Sequence, residues 1–152
     1  MPKEWQLKFH NNFYYVQNIF LIIMNKFFLY KDVFKKGEKY YQDKKYSLAL
    51  DMLNQAISLD LPLSNQKKAE AYELSGNIKI QMNRHLDSIS DFNKAISLDP
   101  ENSSLFFYRG MALCVLDDKE GALKDFNQLI KFEPNNKSAK DMSQYLKELL
   151  GD

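Results

Sequence analysis

The sequence predicts an all-α protein whose helices pair into hairpins and stack as a solenoid. Three observations carry that expectation. Residues 69–136 divide into two 34-residue segments that align without a gap, with Gly76 over Gly110, Phe92 over Phe126 and Pro100 over Pro134. A fixed period of this length marks helical units that bury their apolar faces only against neighbours. The run AISLD stands at 56–60 and again at 95–99, which points to an earlier and less regular copy. Composition fits a folded domain with a real core: 152 residues, 45% hydrophobic and 27% charged, with only four Pro and five Gly.

The two clear copies share a physical pattern. Tyr72 precedes Gly76 by four positions, and Phe106 precedes Gly110 in the same way. Ser88 then precedes Phe92, and Ala122 precedes Phe126, before Pro100 and Pro134 close each unit. Small residues let two helices of a hairpin cross closely, and the rings fill the wedge between hairpins. Pro lacks an N–H and biases the residue before it out of helical conformation, so it stops the second helix. This pattern resembles the tetratricopeptide repeat (TPR) family. The resemblance implies a right-handed α-solenoid of three TPR hairpins with a C-terminal capping helix. Ser75, Lys79, Arg109 and Leu129 depart from the commoner family residues and are expected to weaken single positions without disturbing the register.

Residues 1–29 form an apolar N-terminal segment, richest at Phe13–Tyr30. A membrane span needs about 20 mainly apolar residues, and Gln17, Asn18, Asn25 and Lys26 interrupt this one. No Ala, Gly, Ser, Thr or Cys occurs in residues 1–36, so a cleavage site is missing for a signal peptide. Asn11, Asn18, Asn25 and Asp32 recur every seven residues and would form one narrow polar stripe on a helix. The segment therefore reads as an extra apolar helix packed on protein. Three sites are open to it: the first repeat, the chain's own groove, or a second copy.

Residues 30–152 read as the TPR domain, with repeats at about 30–63, 69–102 and 103–136 and a capping helix at 137–150. In the first repeat, Val33, Gly37 and Tyr40 fall on the first helix, and Ala49, Leu53 and Ala56 on the second. Gly37 lies 39 residues before Gly76, so five extra residues fall in LPLSNQKK, a cheap surface insertion. Ser64 or Asn65 caps the next helix, Asn102 or Ser103 the fifth, and Asn136 the last. Helices are expected near 66–82, 86–98, 103–116 and 120–132. Gly151 ends the last helix.

Chemistry finds little support. His85, in the turn NRHL, reads as a solvated loop residue, and His10 is far from it in sequence. One cysteine, Cys114, supports neither an internal disulfide nor a Cys/His metal site, and it reads as buried packing. No glycine-rich phosphate loop is present. No enzyme activity, cofactor or metal is expected. Net charge is +1, which argues against nucleic acid, although residues 1–45 hold nine Lys against four acids.

Binding is what the resemblance implies. In this family the first helices line a concave groove that holds a partner peptide or helix. By register, that face carries Lys31, Phe34, Lys35, Glu38 and Tyr41, then Glu70, Glu73, Leu74, Asn77 and Gln81. Ser104, Phe107, Tyr108, Met111 and Cys114 follow, with Met142 and Tyr145 near the end. Phe107, Tyr108 and Met111 are large and apolar without being needed for the repeat, as an interaction site would be. The family subgroup that grips chaperone C-terminal carboxylates uses Lys, Asn and Arg along this groove. Phe34 and Glu38 stand where those contacts begin, and Arg109 is one place off the face, so that activity is not carried over. The expected protein is a cytoplasmic scaffold or adaptor for a protein partner. Self-association through the N-terminal helix and membrane anchoring by residues 13–30 are the alternatives.

Overall fold

A computed structural model of the chain describes residues 3–59 and 61–151, with side chains from residue 15 onward. His10, Asn11 and Phe13, and Asp60 of the first AISLD, lie outside the described side chains. Among the described residues there are seven helices and no strand. They are α1 (Lys3–Gln42), α2 (Tyr46–Ser58), α3 (Asn65–Gln81), α4 (His85–Leu98), α5 (Ser103–Val115), α6 (Lys119–Phe132) and α7 (Lys137–Leu150). The architecture is the all-α helical repeat: α1/α2, α3/α4 and α5/α6 are hairpins, and α7 packs on α6.

The three hairpin turns have one geometry. Lys44, Asn83 and Asp117 each adopt positive φ, at 57°, 58° and 62°. In each turn the next N–H reaches back five residues: Lys45 N donates to Tyr40 O, Arg84 N to Lys79 O, and Asp118 N to Leu113 O. That pair of features satisfies the orphan carbonyls at the helix end. Starts are capped as expected: Ser64 accepts from Lys67 N, Asn102 from Ser104 N, and Asn136 from Ala139 N. Gly151 ends α7 at φ 81°.

The core is a chain of small clusters, one per interface. Tyr30, Val33, Ala56 and Leu61 join the first hairpin to its connection. Ala49, Leu50, Leu53 and Ile78 join it to the second hairpin, and Ala69, Phe92, Ala95 and Leu105 join the second to the third. The glycines sit at the crossings. A Cβ on Gly76 would meet the Phe92 ring at 2.8 Å, one on Gly110 the Phe126 ring at 3.2 Å, and one on Gly37 Leu53 at 3.2 Å. Ser88 and Ala122 are fully buried on the facing helices, and Phe106 is buried in one cluster with Ala122, Phe126 and Leu129 of α6. The insertion is not idle surface, because Leu61 within it is buried.

Two features differ from expectation. The apolar N-terminal helix is continuous with the first helix of the first repeat, forming one helix of 40 residues. At 1.5 Å per residue it is about 60 Å long. It carries no Pro and no Gly before Gly37, so nothing breaks it near residue 29. Of its described side chains from 15 to 29, Phe27 packs on the first hairpin and Met24 is half-buried, while the others are exposed and rest on neither the first repeat nor the groove.

The second difference concerns Ser75, Lys79 and Arg109, which hold buried acids on the facing helices. Asp91 is buried on α4 and accepts from Ser75 Oγ at 2.6 Å and Lys79 Nζ at 2.5 Å. Asp125 holds the same place on α6, and Arg109 donates to it from Nε at 2.8 Å and Nη2 at 2.6 Å. Arg109 Nη1 also donates to Asn93 at 2.7 Å, and Ser143 of α7 repeats that contact to Asn127 at 2.8 Å. A polar ladder therefore runs through successive hairpins.

Candidate functional site

The repeat geometry separates an inner layer from an outer one. Among the described residues, the first helices approach one another across hairpins, α1 to α3 and α3 to α5, more than α2 approaches α4 or α4 approaches α6. A stack closer on one side curves toward that side, which is the side where the sequence register expects the groove on α1, α3 and α5.

The expected groove residues fall on these helices, with different degrees of freedom. Lys31, Lys35 and Glu70 are exposed, and Phe34, Tyr41, Glu73, Asn77 and Phe107 are half-buried. Tyr108 and Met111 retain 36% and 39% of their exposure. Phe34 does structural work: it stacks on Tyr30 at 5.7 Å between ring centroids and packs against both core clusters of the first hairpin. Lys31 lies over the Phe27 ring at 4.7 Å. Glu73 ties α3 to the start of α5, accepting from Ser104 Oγ at 3.0 Å and Asn102 Nδ2 at 3.2 Å. Tyr145 is more than half exposed, whereas Met142 packs into the core.

The aromatic strip on α5 is held from behind. Tyr108 stacks on buried Phe92 at 6.2 Å, and Phe107 stands edge-on to Tyr108 at 5.6 Å and to Phe126 at 6.2 Å. Such rings present a rigid apolar surface, because their rotamers are already fixed by packing. Beside them opens a cavity of about 270 Å³, lined by Ser104, Phe107, Tyr108, Leu129, Glu133 and Asn136. The Glu133 carboxylate at its edge is held below the usual range by hydrogen bonds from Ser103 and then Asn136. At the other end of the face, burial pushes the Tyr41 hydroxyl up, and the fields of Tyr46 and Tyr108 add to it. Tyr30 is likewise raised, first by burial and then by Glu70 and Glu38.

His85 is half-buried at the start of α4, not solvated in a loop, and its Nδ1 has no hydrogen-bond partner among the described residues. Burial pushes the Cys114 thiol up, away from the reactive thiolate. Among the described residues, no group of His, Cys, Asp and Glu is placed to hold a metal ion, and no helix is long and apolar enough to cross a membrane. The buried acids Asp91 and Asp125 were not legible as a motif. Their signal was that Asp91 and Asp125 stand 34 residues apart, as do Ser75 and Arg109, which bind them.

A tetratricopeptide repeat model matches residues 69–102. Human peptidyl-prolyl cis-trans isomerase FKBP4 is 33% identical over 117 residues, covering 70% of this chain and 25% of that protein. A DnaJ homolog subfamily C member 7 homolog of Dictyostelium discoideum is 26% identical over 102 residues, covering 67% of this chain and 19% of the relative. The chain thus spans a quarter or less of the length of these curated relatives. Among solved structures, the first TPR of Spaghetti (RPAP3) bound to the HSP90 peptide SRMEEVD superposes with a TM-score of 0.69. That match is at 23% identity and covers 81% of this chain and 96% of that one. With crossings, turns and rings recurring at the family's period, the chain belongs to the tetratricopeptide repeat family.

Proposed function

We propose that this chain is a non-enzymatic protein-interaction module whose concave face holds a peptide or helix of a protein partner. One observation carries the reading: the Phe107–Tyr108–Met111 strip stays partly open, beside a cavity sized for one large side chain, on the side where the first helices converge. Truncating a central aromatic anchor commonly costs about 2 kcal/mol or more. The RPAP3 structure, a fold neighbour that carries an HSP90 peptide, supports peptide binding as a use of this architecture.

The ligand's chemistry should differ from that peptide's acidic end. The expected face offers Glu38, Glu70 and Glu73, while its cations Lys31 and Lys35 both lie on α1, with none on the α3 and α5 positions of the face. An apolar anchor in the α5 cavity, flanked by neutral or basic residues, fits best. Residues 30–152 would form the binding domain, with Tyr41 and Asn77 framing the other end of the groove.

A displayed random-peptide library selected on the whole chain tests this. Selected peptides should carry an aromatic or large aliphatic residue. They should lose more than tenfold in affinity on Phe107→Ala/Tyr108→Ala, while the variant keeps its helical signal. Peptides that bind the variant as well as the parent would remove the groove from the account.

A further inference from the structure

We infer that the apolar N-terminal half of α1 is a self-association surface, and that its occupant is the same segment of a second copy of this chain. The inference does not depend on the groove.

In the lower half of α1, the strip Phe27, Tyr30, Phe34 and Gly37 faces the first hairpin. Tyr30 is buried, Gly37 lies against Leu53 of α2, and Phe27 and Phe34 pack on the cluster of Tyr30, Val33, Ala56 and Leu61. Positions three and four apart share a helix face. Continued toward the N-terminus, that strip reads Ile23, Phe20, Ile19 and Val16. These side chains are 41%, 64%, 40% and 61% exposed, because α2 ends at Ser58 and no described helix continues its track. A seam that is filled along one half of a helix thus runs on empty along the other.

A second copy fits the seam's continuity. With ordinary side-chain areas the seam residues Val16, Ile19, Phe20 and Ile23 present roughly 400 Å² per chain, and the flanking Tyr15, Leu21, Ile22, Phe28 and Leu29 raise this to roughly 900 Å², against about 800 Å² per partner in a standard-size interface, so the paired helices must wrap beyond the seam. The second chain's α1 would lie where a longer α2 would lie, antiparallel to the first, so that the helix dipoles oppose. Charge does not resist this, since Lys26 is the one charged residue between 15 and 29. A bilayer surface fits less well. A helix lying in that interface needs a broad charged face, whereas Asn18, Asn25 and Asp32 make only a narrow stripe. Among the described residues no helix is apolar enough to cross a membrane.

Sedimentation of the full chain at micromolar concentration tests the proposal. The expected particle has twice the 17.9 kDa chain mass. Phe20→Glu/Ile23→Glu should return it to a single chain, with unchanged helical content and at least a hundredfold weaker association. Leu86→Glu, at an exposed site on α4, should leave the pair intact. Small-angle scattering should show an elongated particle with its two solenoids at opposite ends. A parent chain that sediments singly or as large aggregates would overturn the proposal. So would a pair that survives the double variant, a compact particle with solenoids side by side, or a chain that leaves the pair to float with phosphatidylcholine or phosphatidylserine vesicles.

Discussion

Replacing Gly76 by Ala puts one methyl group where α3 meets α4. The new Cβ would stand 2.8 Å from two atoms of the Phe92 ring and 3.2 Å from a third. Ordinary carbon contacts lie near 3.5–4.0 Å, so the ring or the helix must move. Phe92 has little room, being fully buried against Ala69, Ala95 and Leu105 with Tyr108 stacked on it. Overpacking of this kind costs about 1–3 kcal/mol. Against it stands the gain of about 1 kcal/mol from Ala over Gly inside a helix.

Gly110→Ala is the internal control. It gains the same propensity, but its nearest ring atom lies at 3.2 Å, where a few tenths of an ångström relieve the contact. Gly110→Ala should therefore be near neutral, and Gly76→Ala should be less stable than it by about 1–2 kcal/mol. Urea unfolding followed by helical circular dichroism reads this as a lower midpoint at unchanged slope. In a chain of this size each kcal/mol moves the thermal midpoint by about 2–4 °C. Adding Phe92→Leu to Gly76→Ala should cost less than Phe92→Leu costs in the parent. If Gly76→Ala matches or exceeds Gly110→Ala in stability, the close crossing is not there and the packing scheme is wrong.

Three further outcomes are expected. Arg109→Ala strands buried Asp125 without its cation and should cost about 3 kcal/mol; Arg109→Leu with Asp125→Ala should regain most of that in the same urea assay. Lys44 holds a left-handed conformation that costs an ordinary residue about 1 kcal/mol. Lys44→Gly should raise the unfolding midpoint and leave peptide binding unchanged. Tyr30 and Tyr41 are raised above the ordinary tyrosine value of 10.0. A raised folded value means that stability is full below the unfolded value and is lost as pH climbs through the folded one. Thermal midpoints should hold to about pH 9 and decline from about pH 10 upward, with a shallower decline in Tyr30→Phe.

The elements most legible in the sequence were those set by local rules. Gly76 and Gly110, the caps Ser64, Asn102 and Asn136, and the stop after Leu150 each follow from neighbours within one turn or one period. The helix bounds accordingly fall within a residue or two of expectation. The joint near residue 29 was harder, because it was inferred from a change in composition. Composition does not end a helix, and no Pro or Gly interrupts α1 before Gly37.

The polar ladder was illegible for a different reason. Ser75 and Asp91 are 16 residues apart, as are Arg109 and Asp125, and they meet only once two helices cross. Read singly, they look like departures from a pattern. The groove was legible as a register of positions, since each first helix repeats the same face. Which of those positions are spent on packing depended on three-dimensional neighbours. Phe34 is wedged between core clusters, and Glu73 is bound by Asn102 and Ser104, leaving Tyr108 and Met111 as the more open apolar pair.

Methyl resonances give the most direct measurement on the concave face, because methionines lie on both sides of it. With the methionine methyl groups labelled and a library-selected peptide added, Met111 of α5 should shift and broaden first, while Met52 of α2, on the outer layer, stays in place. A shift at Met52 with Met111 unmoved would mean that partners dock on the convex side, and the concave groove would not be the binding face.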